Sequence, residues 1–140
     1  AVFDDAHRRL LGEARSWAAA SLSDATHPHD RAAVDQRCRD LVSAIGRAGL
    51  TRYCVRAADG GALAEFDARA ICLVRESLAW WDGLADFAFA MQGLGSGALS
   101  LAAGDPLRAA YLPRVARGEA IAAFALSEQI GEHTSELQSR

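Results

Sequence analysis

The 140-residue chain has no lysine, and all 15 of its basic residues are arginines. With so much alanine beside them, this reads as coding bias toward GC-rich codons, since the two basic residues differ physically only at bidentate or stacked sites. Cysteine is scarce: Cys38, Cys54 and Cys72 make three, with no CxxC pair among them. An odd, scattered set speaks against a disulfide framework and points to a reducing cytoplasm. No block of one charge sign exists, and 15 basic against 18 acidic residues leave a net charge of −3. That argues against nucleic acid or an anionic membrane as the main partner. No apolar run approaches the ~20 residues that span a bilayer. The opening stretch, AVFDDAHRRLLGEARSW, carries charges where an export signal needs continuous apolar residues. A soluble, cytoplasmic protein is therefore expected, of the size of one domain, with 51% hydrophobic residues from which to build a core.

What is present is mostly helical periodicity. From Phe3 to Ala20, Leu10, Leu11 and Trp17 alternate with Ala6, Ala14 and Ala18 at helical spacing. SLSDATHPHD, residues 21–30, is a breaker-rich loop that ends on Asp30, a cap for the next helix. That helix sets Val34, Cys38, Leu41, Val42 and Ile45 on one stripe and stops at Gly49. GLTRYCVRAADGG, residues 49–61, reads as a short extended stretch closing in a glycine turn. A third helix is expected over residues 66–81 from the spacing of Phe66, Ala70, Leu73, Val74, Leu78 and Trp81. Residues 83–104 are apolar nearly all round, which predicts burial, and the glycines from Gly93 to Gly97 are expected to split this run into two helices. Asp105 and Pro106 open a last helix, as N-cap and first helical residue, with Leu107, Ala110, Tyr111 and Val115 facing inward and Pro113 bending or ending it. Strand character is confined to residues 120–126, too little for a sheet. The fold class is all-α with one short extended segment at its C-terminal end.

Motifs that could carry chemistry are weak on their own. GLGSG at residues 93–97 lacks the preceding strand and the third glycine of a nucleotide-binding loop. His27 and His29 flank Pro28 without a third ligand, so no metal site is assigned. Cys38 lies on an apolar stripe, where a thiol acts as a small hydrophobe. No nucleophile, base and orienting group can be assembled from spacing, and no catalytic residue is named.

GLADFAFAMQGLGSGALSLAAGDPLRAAYLPRVARGEAIAAFALSEQ, residues 83–129, resembles the acyl-CoA dehydrogenase family, above all in YLPRVARGE followed by FALSE. The N-terminal part matches more weakly, including the Gly-Gly turn at Gly60 and Gly61. The resemblance implies an N-terminal α-helical domain over residues 1–118 and the start of a middle β domain over 119–129. It also implies FAD-dependent α,β-dehydrogenation of an acyl thioester carried by CoA or acyl carrier protein. An electron-transfer flavoprotein as acceptor and a homo-oligomeric parent enzyme belong to the same expectation. Phe124, Leu126 and Ser127 would lie along the flavin, with donors near its pyrimidine edge favouring the charge that develops there. Phe87, Ala90, Met91 and Leu94 would line the acyl cavity. The family's catalytic glutamate, in a C-terminal bundle, has no counterpart in the chain.

The resemblance stops at Gln129, where family members have proline and then a Gly-x-Gly-Ser-Asp turn. Residues 130–140 run IGEHTSELQSR, of which EHTSELQSR resembles a translated sequencing adapter. The sequence therefore reads as the N-terminal fragment of a flavin dehydrogenase, inactive by itself and ending in an artefactual tail. The rival expectation is a stand-alone helical interaction module whose apolar surface meets a partner.

Overall fold

Four short acidic side chains start four helices. Asp4 accepts from the His7 amide at 3.0 Å and opens α1 (Asp5–Leu22). Asp30 accepts from Ala32 and Ala33 and opens α2 (Arg31–Arg47). Asp67 accepts from Arg69 at 2.9 Å ahead of α3 (Ala68–Ala79), and Asp82 accepts from Leu84 and Ala85 ahead of α4 (Gly83–Ala102). Each carboxylate satisfies amides that a helix start leaves without partners and favours the positive end of the helix dipole. α5 (Asp105–Ala116) begins instead from Gly104 with no side-chain cap. Asp105, expected as the cap, is the first helical residue, with Pro106 behind it.

This computed structural model describes residues 2–23 and 28–125, and within them the protein is all-α, five helices with no strand. α4 lies at the centre, touching α2, α3 and α5, while α1 packs along α3. Phe89, Ile45, Val74, Leu78 and Leu112 are fully buried between them. Side chains of this size each contribute roughly 1.5–3 kcal/mol by leaving water. α1 gives Leu10, Ala14, Ala18 and Leu22 to this core, the i, i+4 row its sequence spacing requires.

Two caps are joined through His7, whose buried ring sits between carboxylates. Its Nδ1 is 2.7 Å from Asp4 and its Nε2 is 3.0 Å from Asp67. Arg69 also grips Asp67 through two bonds, and these contacts hold the Asp67 carboxyl well below the usual carboxylate range. Asp67 takes the capping position, so the third helix begins later than its apolar spacing suggests. Phe66 consequently falls outside α3, and Trp81 lies past its last residue, Ala79; both are exposed.

Residues 49–61 are not extended. They form two 3-10 turns, Leu50–Cys54 and Ala57–Asp59, closed by a bridge between Arg56 and Leu63. Gly49 stops α2 as expected, at a φ of 78° that glycine adopts without strain. The tight turns hold because buried Thr51 donates to the Ala116 carbonyl at 2.8 Å and Ser96 donates to the Cys54 carbonyl at 3.0 Å. A side-chain hydroxyl from α4 and a backbone carbonyl from α5 thus tie the turns to the helices in place of a strand ladder.

α4 is also unbroken at its glycines. A glycine costs about 1 kcal/mol within a helix, a penalty that close packing offsets here. In α5 the inward face is Leu112, Val115 and Ala116, while Leu107 and Tyr111 point outward, 53% and 46% exposed. Only the last turn of α5 reaches the core, which rotates the buried stripe one residue from the expected one. Pro113 stays inside the helix and packs on the turn at Gly60. Residues 121–125 leave α5 with no strand partner among the described residues, so the strand character expected there is not realised.

Candidate functional site

The amphipathic rule is inverted along α4. Its inward face carries Gln92, Ser96 and Ser100 beside Ala85, Ala88 and Phe89, all buried. Its outward face carries Phe87, Leu94 and Leu101, exposed by 56%, 55% and 81%, at successive intervals of seven residues. A soluble domain rarely leaves such a stripe in water without a use for it. The expectation that this apolar helix is buried all round fails on this one face.

Gln92 and Ser96 are paired, while the buried Ser100 hydroxyl has no hydrogen-bond partner among the described residues. Ser96 donates to the carbonyls of Gln92 and Cys54. Gln92, 1% exposed, donates through Nε2 to the Ala88 carbonyl at 3.0 Å and accepts through Oε1 from the Ala122 amide at 2.8 Å. An N–H can only donate, so this bond sets which end of the carboxamide is oxygen. One turn further along, a Cβ on Gly95 would stand 2.8 Å from the Ala122 Cβ and from the Ala123 carbonyl oxygen. The segment after α5 therefore lies directly on α4, at a place where only glycine fits.

This crossing closes one side of a groove of about 410 Å³. α2 contributes Asp35, Cys38, Arg39 and Val42 to its lining, α4 contributes Phe87, Ala88, Met91 and Gln92, and the segment contributes Ile121, Ala122 and Ala123. The volume falls within the range of small-molecule sites, with walls that are mostly apolar. Burial and the neighbouring Asp35 push the Cys38 thiol up, so it remains protonated at neutral pH and is no nucleophile. Among the described residues no cluster of three His, Cys, Asp or Glu could hold a metal ion.

Below the groove, Arg37 of α2 bonds the fully buried Asp82, tying the start of α4 to α2. Burial resists ionisation of Asp82, but the Arg37 guanidinium and the Leu84 and Ala85 amides outweigh it and hold the carboxyl below its ordinary value. The relative placement of the two groove helices thus rests on a charged contact as well as on packing.

Of the residues expected to line an acyl cavity, Phe87 and Met91 meet in this groove. Ala90 is half-buried on the same helix, and Leu94 is exposed one turn beyond Met91 without lining the groove. Phe124 is 45% exposed at the end of the pinned segment, and Leu126 and Ser127 lie outside the described residues. The sequence reading missed Gln92, Gly95, Arg37 and Asp82. A glutamine inside an otherwise apolar, small-residue helix was the available signal for the first.

A sequence model of one protein family, described as acyl-CoA dehydrogenase, N-terminal domain, matches residues 4–119. No curated protein matches the chain.

Proposed function

The chain belongs to the acyl-CoA dehydrogenase family through its N-terminal domain, and from that premise we propose that the groove between α2 and α4 receives the acyl chain of a thioester carried by CoA or acyl carrier protein. The exposed apolar face of α4 is the observation that carries this reading, because it offers Phe87 and Met91 to a ligand rather than to the core. Ala90 and Leu94 extend the same face along the path of a longer chain. Transfer of apolar carbon to such a surface stabilises binding by about 0.8 kcal/mol per methylene.

Phe124, together with Leu126 and Ser127, is assigned to the flavin side. An exposed apolar ring at the end of a segment anchored to α4 fits contact with a flat cofactor such as FAD. When bound, FAD supplies the oxidising power for forming a double bond between the α and β carbons of the acyl group. The part of this chain is to bind the acyl group, exclude water from it and hold it in register; no proton-abstracting role is assigned to its residues. A soluble, cytoplasmic, homo-oligomeric enzyme with an electron-transfer flavoprotein as acceptor is proposed on the strength of the family. No helix among the described residues is long and apolar enough to cross a membrane.

One observation favours a protein against this face as well. Leu101, 81% exposed, continues the stripe past the groove, so an interaction surface is the second reading.

Calorimetric titration with lauroyl-CoA separates the two. Saturable binding is expected, weakened by about tenfold or more in Phe87→Asp and Met91→Asp and unchanged in Leu107→Asp on α5. Binding indifferent to both groove substitutions, or no binding at all, removes the acyl reading and leaves the interaction surface.

A further inference from the structure

We infer that Gln92 is a positioning residue, holding the segment 121–124 against α4 so that the groove keeps its third wall and Phe124 stays in fixed register with Phe87 and Met91. The inference rests on the reading of the groove as an acyl site and adds to it a lining residue whose polar atoms are both spent on the protein itself.

A buried carboxamide is costly unless its polar atoms are paired, and a leucine or methionine would fill the same space without that demand. What the glutamine adds is its Oε1 bond to the Ala122 amide at 2.8 Å. Its other end is spent on the Ala88 carbonyl of its own helix, which orients the side chain. Gly95 serves the same end by omission, since a Cβ there would meet Ala122 and Ala123 at 2.8 Å. Two successive inward positions of α4 are thus shaped to the segment, 92 to Ala122 and 95 to Ala122 and Ala123.

Position 92 is also flanked on its own helix by the groove residues. Phe87, Ala88 and Met91 belong to the turns immediately before it, and Ile121, Ala122 and Ala123 complete the lining. One side-chain bond therefore links the surface that would grip an acyl chain to the segment that leads to the flavin-side residues. Loss of that bond should widen the groove without removing any residue from its wall.

The test uses the full chain and the variants Gln92→Met, which keeps the volume and loses the bond, and Gly95→Ala, which keeps the bond donor and acceptor but obstructs the crossing. Amide hydrogen exchange is read at Ala122 and, as an internal reference, at Phe89 in the core of α4. In the wild type the Ala122 amide is expected to be protected. In either variant its protection should fall by about tenfold or more while that of Phe89 stays within about threefold. Lauroyl-CoA binding should weaken by about tenfold in the same variants. An Ala122 amide that exchanges freely in the wild type overturns the inference, as does one that stays protected in both variants. Faster exchange at Ala122 with unchanged lauroyl-CoA affinity overturns the link to the groove. If lauroyl-CoA does not bind the wild type, the acyl reading fails, and the exchange measurement still decides whether Gln92 positions the segment. Should Gln92→Met not fold, Gly95→Ala alone gives the same readings.

Discussion

Glycine at position 46 of α2 and glycine at position 97 of α4 look alike in the sequence and are opposites in the structure. A Cβ at Gly46 would stand 2.5 Å from the Arg117 carbonyl oxygen and from the Gly118 Cα, both backbone atoms that have nowhere to go. A Cβ at Gly97 would meet nothing within 4 Å, and the same holds at Gly12 in α1. Alanine at either open site relieves the entropic cost of glycine in a helix and should raise unfolding free energy by about 0.5–1 kcal/mol, measured by urea denaturation. Gly46→Ala should lower it by about 3 kcal/mol, since an overpacked contact forces α2 away from the turn after α5. Equal effects at positions 46 and 97 would mean that α2 does not approach that turn as described.

The elements are held in place by their starting residues as much as by their apolar faces. Asp82 caps α4 and binds Arg37 of α2, so Asp82→Ala removes a cap and strands a half-buried guanidinium, at a cost of about 3 kcal/mol. The same carboxylate makes stability depend on pH. Because its folded pKa lies below the ordinary value, its contribution is complete above the unfolded value of about 4 and is lost as pH falls through the folded one. Asp67, lowered by Arg69 and His7, and Asp4, lowered by its bonds to His7, act in the same direction at the junction of α1 and α3. The thermal midpoint should therefore fall on acidification from pH 5 to about pH 2, and Asp82→Asn should flatten part of that fall. An identical acid profile in wild type and Asp82→Asn would show that this pair does not couple to folding. At high pH the buried Cys54 thiol, pushed up to about 12 by burial, stays neutral and brings no opposing charge into the core.

For the whole molecule, the outward face of α4 should determine behaviour in solution. Phe87, Leu94 and Leu101 are all more than half exposed, and Ile121 adds to the apolar surface at 56%. Replacing Phe87, Leu94 and Leu101 together by serine should sharply reduce the fluorescence of a hydrophobic dye bound to the protein. Unfolding free energy should change by only about 0.5 kcal/mol per site, because exposed side chains add little to the core. A large loss of stability in this triple variant would mean that the stripe is packed. Light scattering of the two proteins at equal concentration gives an independent reading of the same surface.

Much of this was legible in local patterns. The helices around Leu10, Ile45 and Val74, the stop at Gly49 and the cap at Asp30 follow from spacing and capping chemistry, which act within a few residues along the chain. Phe87 and Met91 could be named because family resemblance marked their helix, and Asp67 could have been recognised as a cap from its place before α3. The larger failures come from a partner distant in sequence. Residues 49–61 turn as 3-10 helices because Thr51 reaches Ala116 and Ser96 reaches the Cys54 carbonyl. α4 passes through its glycines unbroken because Ala122 and Ala123 cross at Gly95, and Gln92 acquires its role only when the Ala122 amide arrives 30 residues later in the chain. The sequence by itself determined that this chain is helical, where most of its helices begin, and to which family its text belongs. Which face of α4 is left to solvent, and which residues build the groove, were decided only by tertiary structure, because burial is a property of what packs against a helix and not of its own period.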